Sequence, residues 1–201
     1  MINLIELIQH QKNFLTEKEC DFLISEYENN PARAGKESCP HAFTGVNTTS
    51  SFSLYKLNYG TEAFNIIHNA TERMVQLYHN YLDKFNAFHI LRKKSMLFPH
   101  MYRLMKYEKG ASIHPHTDHD PGVYGSCTFN LNEDYTGGMF AFWGGKHKVK
   151  LGKGDGMIWP ADYFWVHEVE TITSGVRYST NCFLTKNIPN RYPNLKEYNI
   201  K

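Results

Sequence analysis

The chain has 201 residues, 41% of them hydrophobic, with a formal net charge of +2, which is enough apolar material for one domain whose core needs no disulfide support. Acids and bases are nearly balanced and scattered along the chain, so neither a basic nucleic-acid stripe nor an acidic tail stands out. Cys20, Cys39, Cys127 and Cys182 lie far apart, which argues against a zinc ribbon or a dense disulfide framework and suits a reducing compartment.

The run Met1 to Ile8 is apolar but is broken by Asn3 and Glu6, and it lacks a basic leader region and a small-residue cleavage site. No apolar run reaches the ~20 residues needed to span a bilayer. The expectation is a soluble, cytoplasmic protein with no nucleic-acid and no membrane partner. Residues 2–8 fit either a first strand or a short amphipathic turn, since periodicity does not separate the two in so short a run.

Thr16-Glu17-Lys18-Glu19 reads as a capping box that starts a helix with Phe22, Leu23 and Tyr27 on its apolar stripe, ended at Asn29-Asn30-Pro31. From Pro31 to Ser53 the chain is polar and rich in Gly, Ser and Thr, and it reads as a long loop with at most a short strand. Such a loop could be a surface excursion or a substrate-selecting segment. Thr61 then caps the longest helix, with Phe64, Ile67, Thr71, Met74, Val75, Tyr78, Leu82 and Phe85 at a 3.6-residue period. Its expected task is to back a sheet, with His68 and His79 at the surface or core edge.

Beyond Phe98-Pro99 the pattern becomes short β-branched and aromatic runs punctuated by glycine. Eight strands are expected near 101–107, 112–116, 126–131, 139–143, 148–151, 156–159, 163–169 and 176–184, with turns at Gly137-Gly138, Gly144-Gly145 and the 152–156 segment. Two helices followed by eight short strands predict a mainly β protein with flanking helices (α+β). Its architecture is a double-stranded β-helix, the cupin-like jelly roll, with the helices packed outside one sheet. The expected division is helical support and loop over 1–98, the jelly-roll core over 99–186, and an irregular or frayed tail over 187–201.

The chemistry centres on the run from His114 to Asp120. In His116-x-Asp118, residues two apart on a strand share a face, so an imidazole and a carboxylate can grip one metal ion. His167 is the best third donor, because two histidines and one carboxylate on one face of an octahedral ion leave open positions for substrate and oxygen. Within the same run, His114-x-His116 could also chelate, and His119 and Asp120 are adjacent. Ten residues past His167 lies Arg177, with Ser179 on the same face by parity. A buried guanidinium needs an anion, either one of the protein's own acids or a carboxylate bound in a fork. A hairpin turning near Thr173-Ser174-Gly175 would put His167 and Arg177 on the inner face of one sheet. Glu168 points the other way, and Trp143, Trp159 and Trp165 read as core or rim aromatics.

Tyr107-x-x-Gly110, His116-x-Asp118, Gly137-Gly138, His167 and Arg177-x-Ser179, in this order, resemble the 2-oxoglutarate and Fe(II)-dependent dioxygenases, specifically the prolyl 4-hydroxylase-like branch. The likeness spans roughly the C-terminal half and extends weakly to the helix opened by Phe14-Leu15-Thr16-Glu17-Lys18-Glu19-Cys20. It implies His116, Asp118 and His167 as iron ligands. It further implies Fe(II), 2-oxoglutarate and O2 as cofactor and co-substrates, with ascorbate as a candidate accessory reductant. Arg177 and Ser179 would hold the far carboxylate of 2-oxoglutarate. Where related enzymes often carry tyrosine this chain has Asn130, which leaves Asn130, Thr128 and Tyr107 as alternative second contacts. The branch often has lysine where this chain has Arg177.

The resemblance implies hydroxylation of a C–H bond, most naturally on a peptide or protein residue such as proline, coupled to decarboxylation of 2-oxoglutarate to succinate. Action on a free amino acid or other small molecule, a non-catalytic cupin-like metal-binding module, and a zinc hydrolase are the competing readings.

Overall fold

The capping box forms as the residues dictate. Thr16 Oγ1 accepts from the Glu19 amide at 3.2 Å, and the Glu19 carboxylate accepts from the Thr16 amide at 2.8 Å, which satisfies two otherwise orphaned groups. In this computed structural model, which describes residues 3–85 and 95–200, the open question at the N-terminus resolves into a 3-10 turn over Leu4–Leu7 followed by strand β1 (Gln9–Gln11). Met1, Ile2 and Lys201, the ends of the two terminal segments read above, lie outside the described residues.

Helix α1 is Glu17–Glu28. The polar stretch after it holds β2 (Ser38–Pro40), β3 (Asn47–Thr49) and β4 (Ser53–Lys56), before α2 (Glu62–Leu82). Ten further strands follow: β5 (Phe98–Tyr107), β6 (Ile113–His116), β7 (Val123–Asn130), β8 (Thr136–Gly137), β9 (Phe140–Phe142), β10 (His147–Val149), β11 (Gly156–Pro160), β12 (His167–Val169), β13 (Ile172–Ser174) and β14 (Arg177–Thr185).

The strands form a six-stranded sheet, β1-β11-β7-β14-β5-β4, and a four-stranded sheet, β10-β9-β12-β6, with two small pairs, β13-β8 and β2-β3. This is the jelly roll: the described residues are mostly β with two α-helices, and every strand pairing among them is antiparallel. The N-terminal part does more than support it, because β1 and β4 extend both edges of the large sheet. The pattern hid these strands because each is only three or four residues long.

Strand alternation sorts the large sheet into two faces. Tyr102, Leu104, Cys127, Phe129, Cys182 and Leu184 are buried, and α2 packs on that outer face with Phe64 5.2 Å from the Tyr102 ring and His68 Nδ1 2.9 Å from the Tyr102 hydroxyl. Gly156 makes the close approach possible, since a Cβ there would lie 2.5 Å from Met74 Cε and 2.7 Å from the Phe129 ring. The opposite face of β5, β7 and β14 turns toward the small sheet and carries polar groups.

Three expectations need correction. Only His167–Val169 of the 163–169 run is strand. Asp162 instead folds a turn, its carboxylate accepting from the Phe164 amide at 2.9 Å, which leaves Tyr163 and Phe164 exposed. The tail is irregular but not frayed: Tyr192, Leu195 and Tyr198 are buried, the Tyr198 hydroxyl meets that of Tyr102 at 2.7 Å, and the Tyr192 hydroxyl donates to Leu57 O at 3.0 Å. Aromatic side chains with polar tips anchor it where the absence of regular structure implied fraying. His167 and Arg177 do not share a sheet, since β12 lies in the small sheet and β14 in the large one.

Candidate metal centre

His116 on β6 and His167 on β12 are direct cross-strand partners, which brings their ring centroids to 4.3 Å. Each imidazole is held by its own strand. His116 Nδ1 lies 2.9 Å from His114 O, and His167 Nδ1 lies 2.9 Å from Trp165 O. A carbonyl can only accept, so both Nδ1 atoms carry the proton and both Nε2 lone pairs are free. Those two nitrogens converge on one carboxylate: His116 Nε2 is 3.4 Å from Asp118 Oδ1, and His167 Nε2 is 3.4 Å from Asp118 Oδ2. All three donor groups lie within 4.8 Å of one another.

Asp118 is fixed from the opposite sheet, where the Ser126 hydroxyl on β7 donates to Oδ2 at 2.6 Å. Burial opposes its ionisation, but the His167 and His116 imidazoles and the Ser126 hydroxyl together hold the carboxyl well below the usual range. Burial, against the pull of Asp118, pushes His167 down to about 4, so the imidazole is neutral at pH 7. For His116 burial is outweighed by the Asp118 contact and the pKa is raised. Phe140, Phe142 and Trp159 wall His167 in at 5.8, 5.7 and 5.1 Å.

This set fits a divalent ion. Donors at bond lengths of about 2.1 Å and right angles stand about 3 Å apart, close to the observed spacing, and 3.4 Å is long for hydrogen bonds. The rival histidines point elsewhere. His114 Nδ1 meets Thr48 Oγ1 at 3.0 Å and its ring stacks on His41 at 5.3 Å, while His119 sits edge-on to Tyr163.

Arg177 occupies the far end and is 1% exposed. Its Nε donates to Asn130 Oδ1 at 3.0 Å, its guanidinium lies 5.0 Å from the Tyr107 ring centre and 5.9 Å from that of Phe140, and Nη1 is buried with no hydrogen-bond partner among the described residues. No acid among the described residues pairs with it. Gly138, at φ +64°, lets the backbone pass over its stem, since a Cβ there would sit 2.5 Å from Ile172 Cδ1 and 3.3 Å from Arg177 Cδ.

A cavity of about 260 Å³ opens beside the three metal-type donors, which line it together with Tyr107, Thr128 and Ser179. The Tyr107 hydroxyl is pushed up to about 12 by burial, which the nearby Arg177 charge only partly offsets, so it stays protonated and able to donate. Thr128 donates to Thr180 O at 2.6 Å. Asn130 lies behind the cavity: its Oδ1 accepts from Arg177 and from the Tyr135 hydroxyl, and its amide donates to Asn132 O at 2.6 Å and Leu151 O at 3.1 Å.

Ser126, Tyr135 and Phe140 belong to this machinery without having been singled out for it. Ser126 was legible from its β7 parity with Thr128 and Asn130, whereas Tyr135 and Phe140 carry no local signal. Arg103, also on the cavity wall, shares strand parity with Tyr107, and that was the available clue.

Two imidazoles and a carboxylate on the inner face of a jelly roll, with a buried arginine that has no acid partner among the described residues, have the donor types of a facial-triad metal site. Residues 102–185 match the family model described as the 2OG-Fe(II) oxygenase superfamily. The match covers less than half of the chain and supports a 2-oxoglutarate and Fe(II)-dependent dioxygenase, a family that uses Fe(II), 2-oxoglutarate and O2.

Similar solved structures include the viral collagen prolyl hydroxylase of Paramecium Bursaria Chlorella virus-1 in its 2OG complex (TM-score 0.65, 16% identity, covering 90% of this chain and 97% of that one). A Pseudomonas putida prolyl-4-hydroxylase matches with TM-score 0.63 and 19% identity over 90% and 94% of the two chains. A Trichoplax adhaerens prolyl hydroxylase, in complex with a hypoxia inducible factor oxygen degradation domain peptide fragment, matches with TM-score 0.62 and 14% identity over 90% and 84%. At these identities the likeness is one of fold. No curated protein sequence matches the chain.

Proposed function

We propose that this oxygenase hydroxylates a residue of a peptide or protein, prolyl first among them, with His116, Asp118 and His167 holding the iron. The observation that carries the reading is the pair of Nδ1–carbonyl hydrogen bonds, which aim two neutral-capable Nε2 donors at one ionised carboxylate. The peptide part draws on the prolyl hydroxylases of similar fold, one of them with a bound peptide.

When bound, the iron with 2-oxoglutarate and O2 supplies the oxidising chemistry, and succinate and carbon dioxide leave as co-products. The protein positions and excludes water. Arg177 receives the far carboxylate of 2-oxoglutarate in a charge-assisted fork, and Ser179 and Tyr107 donate to the same group. Asn130 acts behind them by fixing the Arg177 Nε. Phe140 and Trp159 keep the iron side dry.

The test is succinate release with Fe(II), ascorbate and a panel of proline-containing peptides, read beside direct metal titration. His116→Ala and Asp118→Ala should each lose iron binding and turnover while keeping the wild-type circular dichroism spectrum. Full iron occupancy in either variant would remove that residue from the site, and absence of 2-oxoglutarate turnover in the iron-loaded wild type would overturn the function.

A further inference from the structure

Arg103 lies on the cavity wall, and the co-substrate reading does not use it. It lies on β5 at the parity of Met105 and Tyr107, and its partner across β14 is Asn181, which also lines the cavity. Arg177 pairs with Tyr107, four residues along β5, so the two arginines start about 13 Å apart along the strand. The Arg103 guanidinium is stacked over the Phe183 ring at 4.5 Å, its side chain is 13% exposed, and Nε is buried without a hydrogen-bond partner among the described residues.

The acid facing it is Glu37, just before β2. Arg103 Nη1 is 3.1 Å from Glu37 Oε2, and Lys56 Nζ takes the other oxygen at 2.7 Å. Glu37 also borders an adjoining cleft of about 330 Å³ lined by Arg33, Lys36, Lys56 and Arg191. One carboxylate on a surface segment is therefore surrounded by cations on both sides. Partly exposed ion pairs of this kind are held weakly, whereas a planar guanidinium with an unused N–H is built for a carboxylate fork.

We propose that Arg103 is a specificity-determining residue that receives a carboxylate of the substrate itself, with Glu37 occupying that place until the substrate displaces it. The proposal rests on the oxygenase reading above and names its substrate class: a residue flanked by an acidic side chain, or one near a free chain terminus. Both sources present the same group to the same guanidinium. The surrounding basic cleft favours approach of an anionic segment.

Fluorescein-labelled proline-containing peptides test this against the full chain by fluorescence anisotropy. A single glutamate is walked through the positions flanking proline, glutamine replaces it in matched controls, and a further pair compares a free with an amidated C-terminus. At least one carboxylate-bearing peptide should bind about tenfold tighter than its neutral match, and which pair differs identifies the source. Glu37→Gln should tighten binding of that peptide and leave its neutral match unchanged. Arg103→Gln should erase the preference, and Arg103→Lys should restore part of it.

Equal binding of all matched pairs by the wild type, or weaker binding of the carboxylate peptide by Glu37→Gln, would overturn the proposal and leave the pair as a structural clamp on β2. Succinate release by the wild type is measured in parallel. Its absence counts against the oxygenase reading alone, because the charge preference is read from binding.

Discussion

Replacing Arg177 by methionine should move stability and co-substrate affinity in opposite directions. The ligand-free protein buries a guanidinium whose Nε donates to a neutral group, Asn130 Oδ1, and whose Nη1 has no partner among the described residues. Exchanging such an uncompensated charge for an apolar side chain of similar bulk is neutral or stabilising by about 1–4 kcal/mol, which for a chain of this size raises the melting temperature by roughly 2–4 °C per kcal/mol. Asn130 Oδ1 keeps its bond from the Tyr135 hydroxyl, so the exchange strands no acceptor. A carboxylate docked on Arg177 loses two charge-assisted hydrogen bonds of about 1.5–3 kcal/mol each. The half-saturating 2-oxoglutarate concentration should therefore rise roughly 10²- to 10⁴-fold, at about 1.4 kcal/mol per decade. The assays are a thermal melt of ligand-free protein and a 2-oxoglutarate saturation curve read by succinate release. A variant that melts several degrees lower while keeping the wild-type saturation curve would show that Arg177 is structural and refute this reasoning.

Tyr107→Phe should raise the 2-oxoglutarate requirement about tenfold with an unchanged melt, and the saturation curve checks it. Gly156→Ala should destabilise by about 1–3 kcal/mol, because the added methyl meets Met74 and the Phe129 ring; urea unfolding measures this, and an unchanged midpoint would contradict the close packing of α2 on β11. Asp155→Asn should also destabilise, by about 1–3 kcal/mol, since the carboxylate joins His10 at 2.8 Å, the Gly152 amide at 2.9 Å and the Asn13 amide at 3.1 Å. Burial opposes ionisation of Asp155, but the Gly152 amide and His10 outweigh it and hold its pKa low. Its stabilisation is therefore full above the unfolded carboxylate value of about 4 and is lost as pH falls through the lower folded value. The gap between wild type and Asp155→Asn in urea should be wide at pH 6 and narrow toward pH 3.

The site is legible in the chain to the extent that strand parity and family pattern reach. His116-x-Asp118 share a face because they are two apart. Arg177 and Ser179 do so for the same reason, and both helix starts are written in Thr16 and Thr61, whose hydroxyls accept from the amides three residues on. These are local facts, fixed by rise per residue and by the need to satisfy the first amides of a helix.

What the linear pattern left open is settled by contacts between distant segments. Whether His114 or Asp118 joined His116 depended on the β6–β12 register and on Ser126 reaching across from the other sheet. Of the three alternatives for a second co-substrate contact, Asn130 is set behind the cavity by the carbonyls of Asn132 and Leu151, while Tyr107 is left facing it. The tail is anchored by aromatic rings that find Tyr102 and Leu57, and β1 and β4 exist because the edges of the large sheet offer unpaired backbone groups to short segments with little strand pattern of their own. The sequence by itself determined the helices, the jelly-roll rhythm and the chemical types of the metal donors, because those follow from periodicity and side-chain chemistry. Only the tertiary structure decided which donors meet, that His167 and Arg177 lie on different sheets, and that Glu37 stands against Arg103, because each depends on pairing and packing between residues far apart in the chain.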